Sequence, residues 1–102
     1  EGHLAALRTM DAAGSDADNF RVFNLGTGDG CSVLEMVEAM KKASGKEIPY
    51  VIGPRRPGDL AEVVADSSKA KAELGWEAKR GVADMCQDAW KWQSENPKGY
   101  EE

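Results

Sequence analysis

Apolar positions recur along this chain mostly at helical spacing, and the pattern is interrupted wherever glycine and proline cluster. Leu4, Leu7 and Met10, with small alanines between them, form one apolar stripe, and the run ends near Ala13 and Gly14, where glycine suits the position just past a helix. Residues 14–19 are polar and turn-rich. They lead into Phe20, Arg21, Val22, Phe23, Asn24 and Leu25, whose aromatic and β-branched content predicts a short strand. After the turn at residues 26–30, Ser32-Val33-Leu34-Glu35 has the spacing of a capping box, in which the serine hydroxyl accepts from an amide three residues on and the glutamate reaches back. Val33, Met36, Val37, Met40 and Ala43 continue at helical spacing. Lys41 and Lys42 favour a C-terminal turn, which Gly45 closes.

Ile48-Pro49-Tyr50-Val51-Ile52 is too short for a helix, and its proline predicts the edge or start of a strand. Two prolines and two glycines make residues 53–59 a loop. Asp66 suits the cap of a short helix containing Ala70 and Leu74, closed by Gly75 and followed by Trp76. Val82, Met85, Cys86, Ala89, Trp90 and Gln93 form the most regular stripe, stopped by Pro97. The order is therefore α-β-α-β-loop-β-α-α. This predicts an α/β fold, a small mixed domain of about four helices and two or three short strands.

At 102 residues the chain has the size of one small domain with one core. Its 41% hydrophobic and 30% charged residues suit a soluble globular protein rather than a disordered or membrane-spanning one. A formal net charge of −5 excludes general nucleic-acid binding, so an anionic ligand needs a local cationic spot. Cys31 and Cys86 are too few for a disulfide scaffold, and with His3 the only histidine no zinc-ligand spacing can be assembled. Reduced thiols and a cytoplasmic location are expected. The first residues lack the features of a signal peptide and resemble the middle of a helix, as expected of a chain cut from something longer.

Two motifs have candidate chemistry. Gly26-x-Gly28-x-Gly30 between a strand and a helix invites a dinucleotide-binding reading, yet the third small residue is wanted at the position of Cys31. No acidic residue follows residues 50–52 to hold an adenosine ribose. A turn and cap is the better reading. Arg55-Arg56-Pro57-Gly58-Asp59 holds the only adjacent arginine pair; guanidinium groups fork onto phosphate oxygens, and a carboxylate accepts from the hydroxyls of a ribose. The alternative there is a solvated loop in which Asp59 pairs with one of the arginines. His3 lacks an identifiable carboxylate partner, Trp76, Trp90 and Trp92 suit packing, and Cys31 lacks a neighbouring base, so none of them is assigned chemistry.

With these residues in view, the chain resembles a known family. The segments are Gly2-His3-Leu4-Ala5-Ala6-Leu7, Asn24-Leu25-Gly26-Thr27-Gly28, Ser32-Val33-Leu34-Glu35-Met36, Arg55-Arg56-Pro57-Gly58-Asp59 and Trp90-x-Trp92-Gln93-Ser94-x-Asn96-Pro97-x-Gly99-Tyr100. They are similar, from end to end, to the C-terminal third of the UDP-glucose 4-epimerases, extended short-chain dehydrogenase/reductases. The resemblance implies that residues 1–102 are a C-terminal UDP-sugar-binding segment without its Rossmann domain. It also implies an enzyme that interconverts UDP-glucose and UDP-galactose by transient oxidation at sugar C4 with bound NAD. Its NAD and its catalytic tyrosine–lysine pair belong to the absent N-terminal domain, since neither Tyr50 nor Tyr100 has a lysine four residues on. The fragment alone is then expected to be inactive, and the parent enzyme a homodimer.

The same resemblance places phosphate binding on Arg56 and ribose binding on Asp59. It puts Val63 where some members carry a tyrosine that crowds the sugar C2 substituent. The other readings are a non-catalytic UDP-sugar-binding or structural module, and a fragment of a related nucleotide-sugar dehydratase, decarboxylase or uronate epimerase. In any of these, isolated helix stripes need a surface to cover, so exposed apolar area and marginal stability are expected.

Overall fold

The structure, a computed structural model, describes residues 1–14 and 20–100. Most of the polar turn expected at 14–19 lies outside the described residues. Four helices are described: α1 (Gly2–Ala13), α2 (Val33–Ser44), α3 (Ser68–Leu74) and α4 (Val82–Glu95). None is long and apolar enough to cross a membrane. The chain divides into two compact units, each built from two separate stretches. One unit comprises Glu1–Asp29 with Val63–Lys79, and the other Gly30–Glu62 with Arg80–Glu102.

The expected mixed α/β domain with two or three short strands is not what forms, because the described residues contain no strand at all. Residues 20–25 and 48–52 carry strand-forming side chains and run without helical structure. A strand, however, is completed only by a hydrogen-bonded neighbour, and no ladder joins these stretches to any other described backbone. Val22 at 59%, Val51 at 94% and Ile52 at 82% exposure have no sheet face to rest on. The single core expected from chain length is likewise replaced by two minimal ones.

In the first unit α1 pairs with α3. The stripe expected to be the core face, Leu4, Leu7 and Met10, is 54–56% exposed. The side withdrawn from solvent is instead the small one, Gly2, Ala5, Ala6 and Thr9. Small residues let neighbouring groups approach closely: a Cβ added to buried Gly2 would lie 2.8 Å from Leu25 Cδ1 and 3.3 Å from Trp76 Cε2. Ala70 on α3 is fully buried. Half-exposed leucines keep only part of the roughly 1.5–3 kcal/mol that complete burial of such a side chain contributes.

In the second unit α2 packs against α4. The capping box forms as spaced: Ser32 Oγ accepts from Glu35 N at 3.2 Å, and Glu35 Oε2 accepts from Ser32 N at 2.7 Å. Gly45 closes α2 in the left-handed conformation, φ 66°, its N–H donating to Lys41 O. Cys86 of α4, 2% exposed, is the buried centre of the unit, and its thiol donates to Met36 Sδ at 3.7 Å. Val37, Met40, Val82 and Trp90 are half-buried. Lys46 lies 5.0 Å from the Trp90 ring centre. Asn96 caps α4 by donating from its backbone and side chain to Trp92 O. The turn beyond brings Tyr100 to 5.0 Å from Trp92, which is 43% exposed rather than packed in a core.

Candidate functional site

The loop holding the arginine pair is folded on itself. Pro54 and Pro57 restrict the backbone, and Gly58 adopts φ 85°, a conformation costly for any side chain with a Cβ. Asp59 N donates to Arg56 O at 3.3 Å and closes the turn. The turn sets Asp59 and Arg56 face to face: Nε donates to Oδ2 at 3.1 Å and Nη2 to Oδ1 at 3.2 Å. This is the side-on, bidentate form of the pair, which leaves the Nη1–Nη2 edge of the same guanidinium open for a second anion. Arg55 reaches the same residue by another route, Nη2 donating to the Asp59 main-chain oxygen at 2.6 Å. The Arg56 side chain is 84% exposed and that of Asp59 39%. An ion pair so exposed contributes about 0–1 kcal/mol to stability, so the contact orients groups more than it stabilises the fold.

Arg56 and Asp59, both singled out from sequence, are thus brought together in the second unit. Val63 opens the later stretch of the first unit and is 79% exposed. The bond from Arg55 to the main chain was not legible beforehand, because no spacing rule distinguishes which of two adjacent arginines turns inward. Two grooves lie elsewhere. One of about 490 Å³ is lined by Leu34, Glu38, Ala39, Lys42, Ala83 and Gln87; another of about 650 Å³ by Leu4, Arg8, Ala12, Leu74 and Trp76. Trp76 Nε1 is buried without a hydrogen-bond partner among the described residues.

The glycine-rich segment does not suit a dinucleotide. Gly26 is already filled from outside, since a Cβ there would stand 2.7 Å from Ala65 Cβ. The N-terminus of α2 is occupied by the Glu35 carboxylate, a negative charge where a pyrophosphate would have to lie. The bond from Ser32 N holds the Glu35 carboxyl below the usual range. Two other carboxylate arrangements are structural. Asp66 accepts from Ser68 N at 2.9 Å, which lowers its pKa and starts α3 one residue later than the cap position expected of it. Lys41 is raised by Glu38 and then Glu47, at 3.2 and 3.4 Å. His3 and Cys31 are exposed, and the Cys31 thiol donates to Ser32 O at 3.4 Å. Among the described residues no cluster of three or more metal-ligating side chains occurs.

The chain is similar throughout to known proteins. A profile of the family described as GDP-mannose 4,6 dehydratase matches residues 10–89. The UDP-glucose 4-epimerase of Bacillus subtilis is 57% identical over 98% of this chain, and UDP-glucose 4-epimerase 2 of Arabidopsis thaliana 54% over 98%. The chain spans 28% of the length of each of these curated relatives. Among solved structures, the UDP-glucose 4-epimerase of Bifidobacterium longum, in complex with NAD+ and UDP, superposes with a TM-score of 0.81. It is 47% identical, over 97% of this chain and 28% of that one. The enzyme of Stenotrophomonas maltophila, with bound NAD and formylated UDP-arabinopyranose, gives a TM-score of 0.78 at 42% identity, over 95% of this chain and 28% of its own.

Proposed function

The chain belongs to the family described as GDP-mannose 4,6 dehydratase, and we propose that it is the UDP-holding segment of a UDP-glucose 4-epimerase. The observation that carries this is the 57% identity, over 98% of the chain, to an enzyme of that name. Within the segment, Asp59 accepts from the ribose hydroxyls, and the open edge of Arg56 takes the diphosphate. Val63 stands beside the sugar, where its small side chain leaves room for an N-acetyl group at C2. NAD supplies the hydride chemistry at C4, and it is held with the proton-moving tyrosine and lysine by an N-terminal Rossmann domain. The segment's own part is binding and orientation, so it is inactive alone. The parent enzyme works as a cytoplasmic homodimer.

The test is made on the full-length protein. UDP-glucose is expected to convert to UDP-galactose without added oxidant or reductant. Arg56→Ala and Asp59→Ala are each expected to weaken UDP binding about ten-fold or more, the scale of a lost charge-assisted hydrogen bond. Unchanged UDP affinity in both variants would remove the site assignment. Val63→Tyr is expected to lower the ratio of activity on UDP-N-acetylhexosamines to that on plain UDP-hexoses, and an unmoved ratio refutes the pocket role. The family description favours one second reading, a nucleotide-sugar 4,6-dehydratase. Water loss from GDP-mannose with no epimerisation of UDP-glucose would decide for it.

A further inference from the structure

Two guanidinium groups converge on Asp59, but they do different things to it. Arg56 binds the carboxylate side-on. Arg55 grips the main-chain oxygen of the same residue at 2.6 Å, the shortest of the three bonds. A side-chain clamp on a main-chain carbonyl fixes where the residue stands and lends no charge to its carboxylate. Apart from the Arg56 side chain, the turn it clamps is held among the described residues by one backbone bond of 3.3 Å between Asp59 N and Arg56 O. The loop is exposed, with no packed core beneath it to hold it in place: Leu60 is 74% exposed and Tyr50 53%.

We infer that Arg55 is a positioning residue for nucleotide recognition: by holding the Asp59 main chain it aligns the Asp59 carboxylate, and through that carboxylate the Arg56 fork. The inference rests on the UDP-binding reading of Arg56 and Asp59. Two consequences distinguish it from the simpler idea that both arginines contact phosphate. A direct phosphate ligand matters only to ligands that carry phosphate. A clamp on Asp59 matters also to uridine, which offers the ribose and base but no phosphate.

The experiment measures uridine and UDP affinity by calorimetry or ligand-observed NMR in the full-length protein, with Arg55 intact, as Arg55→Ala and as Arg55→Lys. Arg55→Ala is expected to weaken uridine and UDP by similar factors of about three to ten, the size of one hydrogen bond. Arg55→Lys, which keeps a cationic donor on a long side chain, is expected to recover most of both. Weakening of UDP alone makes Arg55 a phosphate ligand and overturns the inference, as does recovery of UDP alone by lysine, which would mark simple charge attraction. No change in either ligand also overturns it. If the parent protein binds neither ligand, the UDP-binding reading itself fails; if it binds both and Arg55→Ala binds both with undiminished affinity, only the inference falls.

Discussion

Gly26→Ala tests the closest approach in the first unit. A methyl at Gly26 would stand 2.7 Å from Ala65 Cβ, with Ala65 Cα and O at 3.9 Å. Carbon atoms settle at about 3.5–4.0 Å, so the new contact is short by about 1 Å. Neither methyl has a rotamer into which to escape, so the main chain has to part. Gly26 is not among the glycines with positive φ, so alanine meets no conformational strain there and the whole cost is steric. The Ser67 hydroxyl, donating to Gly26 O at 3.2 Å, resists the separation. Overpacking of this kind costs about 1–3 kcal/mol, and the lost chain entropy of glycine returns about 0.4–1, for a net loss on the order of 1–2 kcal/mol. The assay is the urea midpoint of the full-length protein with an unchanged denaturant slope. Ala65→Gly removes the opposing methyl, so Gly26→Ala on that background should cost little or nothing, a coupling of the same size with opposite sign. An equal loss in both backgrounds, or no loss in either, refutes the steric account.

Ser32→Ala removes the hydroxyl that accepts from Glu35 N, and α2 should lose about 0.5–2 kcal/mol, read as a lower urea midpoint. Because the folded Glu35 pKa lies below its ordinary value, its contribution is complete above the usual carboxylate range and fades as pH falls through the lowered value. Glu35→Gln should therefore flatten the acid side of the stability profile, and an unaltered acid limb counts against the capping account. Thiol titration should label exposed Cys31 in the native protein and buried Cys86 only on unfolding. Equal labelling rates would mean that α2 and α4 do not close over Cys86.

The helices were legible because their signals are local. The Ser32 and Glu35 pair, Gly45 and Gly75 act within one turn of the backbone they terminate, so α2 begins and ends, and α3 ends, where those residues direct. The strands were not legible as structure, since Phe20 to Leu25 and Tyr50 to Ile52 have β-forming side chains but a ladder is a property of two segments. Periodicity also misassigned the face of α1. Leu4, Leu7 and Met10 are the larger apolar residues, but α1 meets its neighbours through Gly2 and the alanines, where backbone approach rather than side-chain volume decides the contact. In the loop, the spacing of Arg56 and Asp59 permitted their ion pair. The turn of Arg55 toward a carbonyl depends on the loop's full geometry, which no pair of residues encodes.

The alternation of the two units along the chain has a consequence for synthesis on the ribosome. The helix α1 leaves the tunnel before α3, yet the stretch that completes its unit ends only at Lys79, after all of the intervening Gly30–Glu62 has emerged. At about 5–20 residues per second, α1 waits several seconds for α3. During that interval its small face of Gly2, Ala5 and Ala6 is open to whatever is nearby, a chaperone or another nascent chain. Rare codons placed between Gly30 and Glu62 would lengthen this exposure, while the same codons after Lys79 would leave it unchanged.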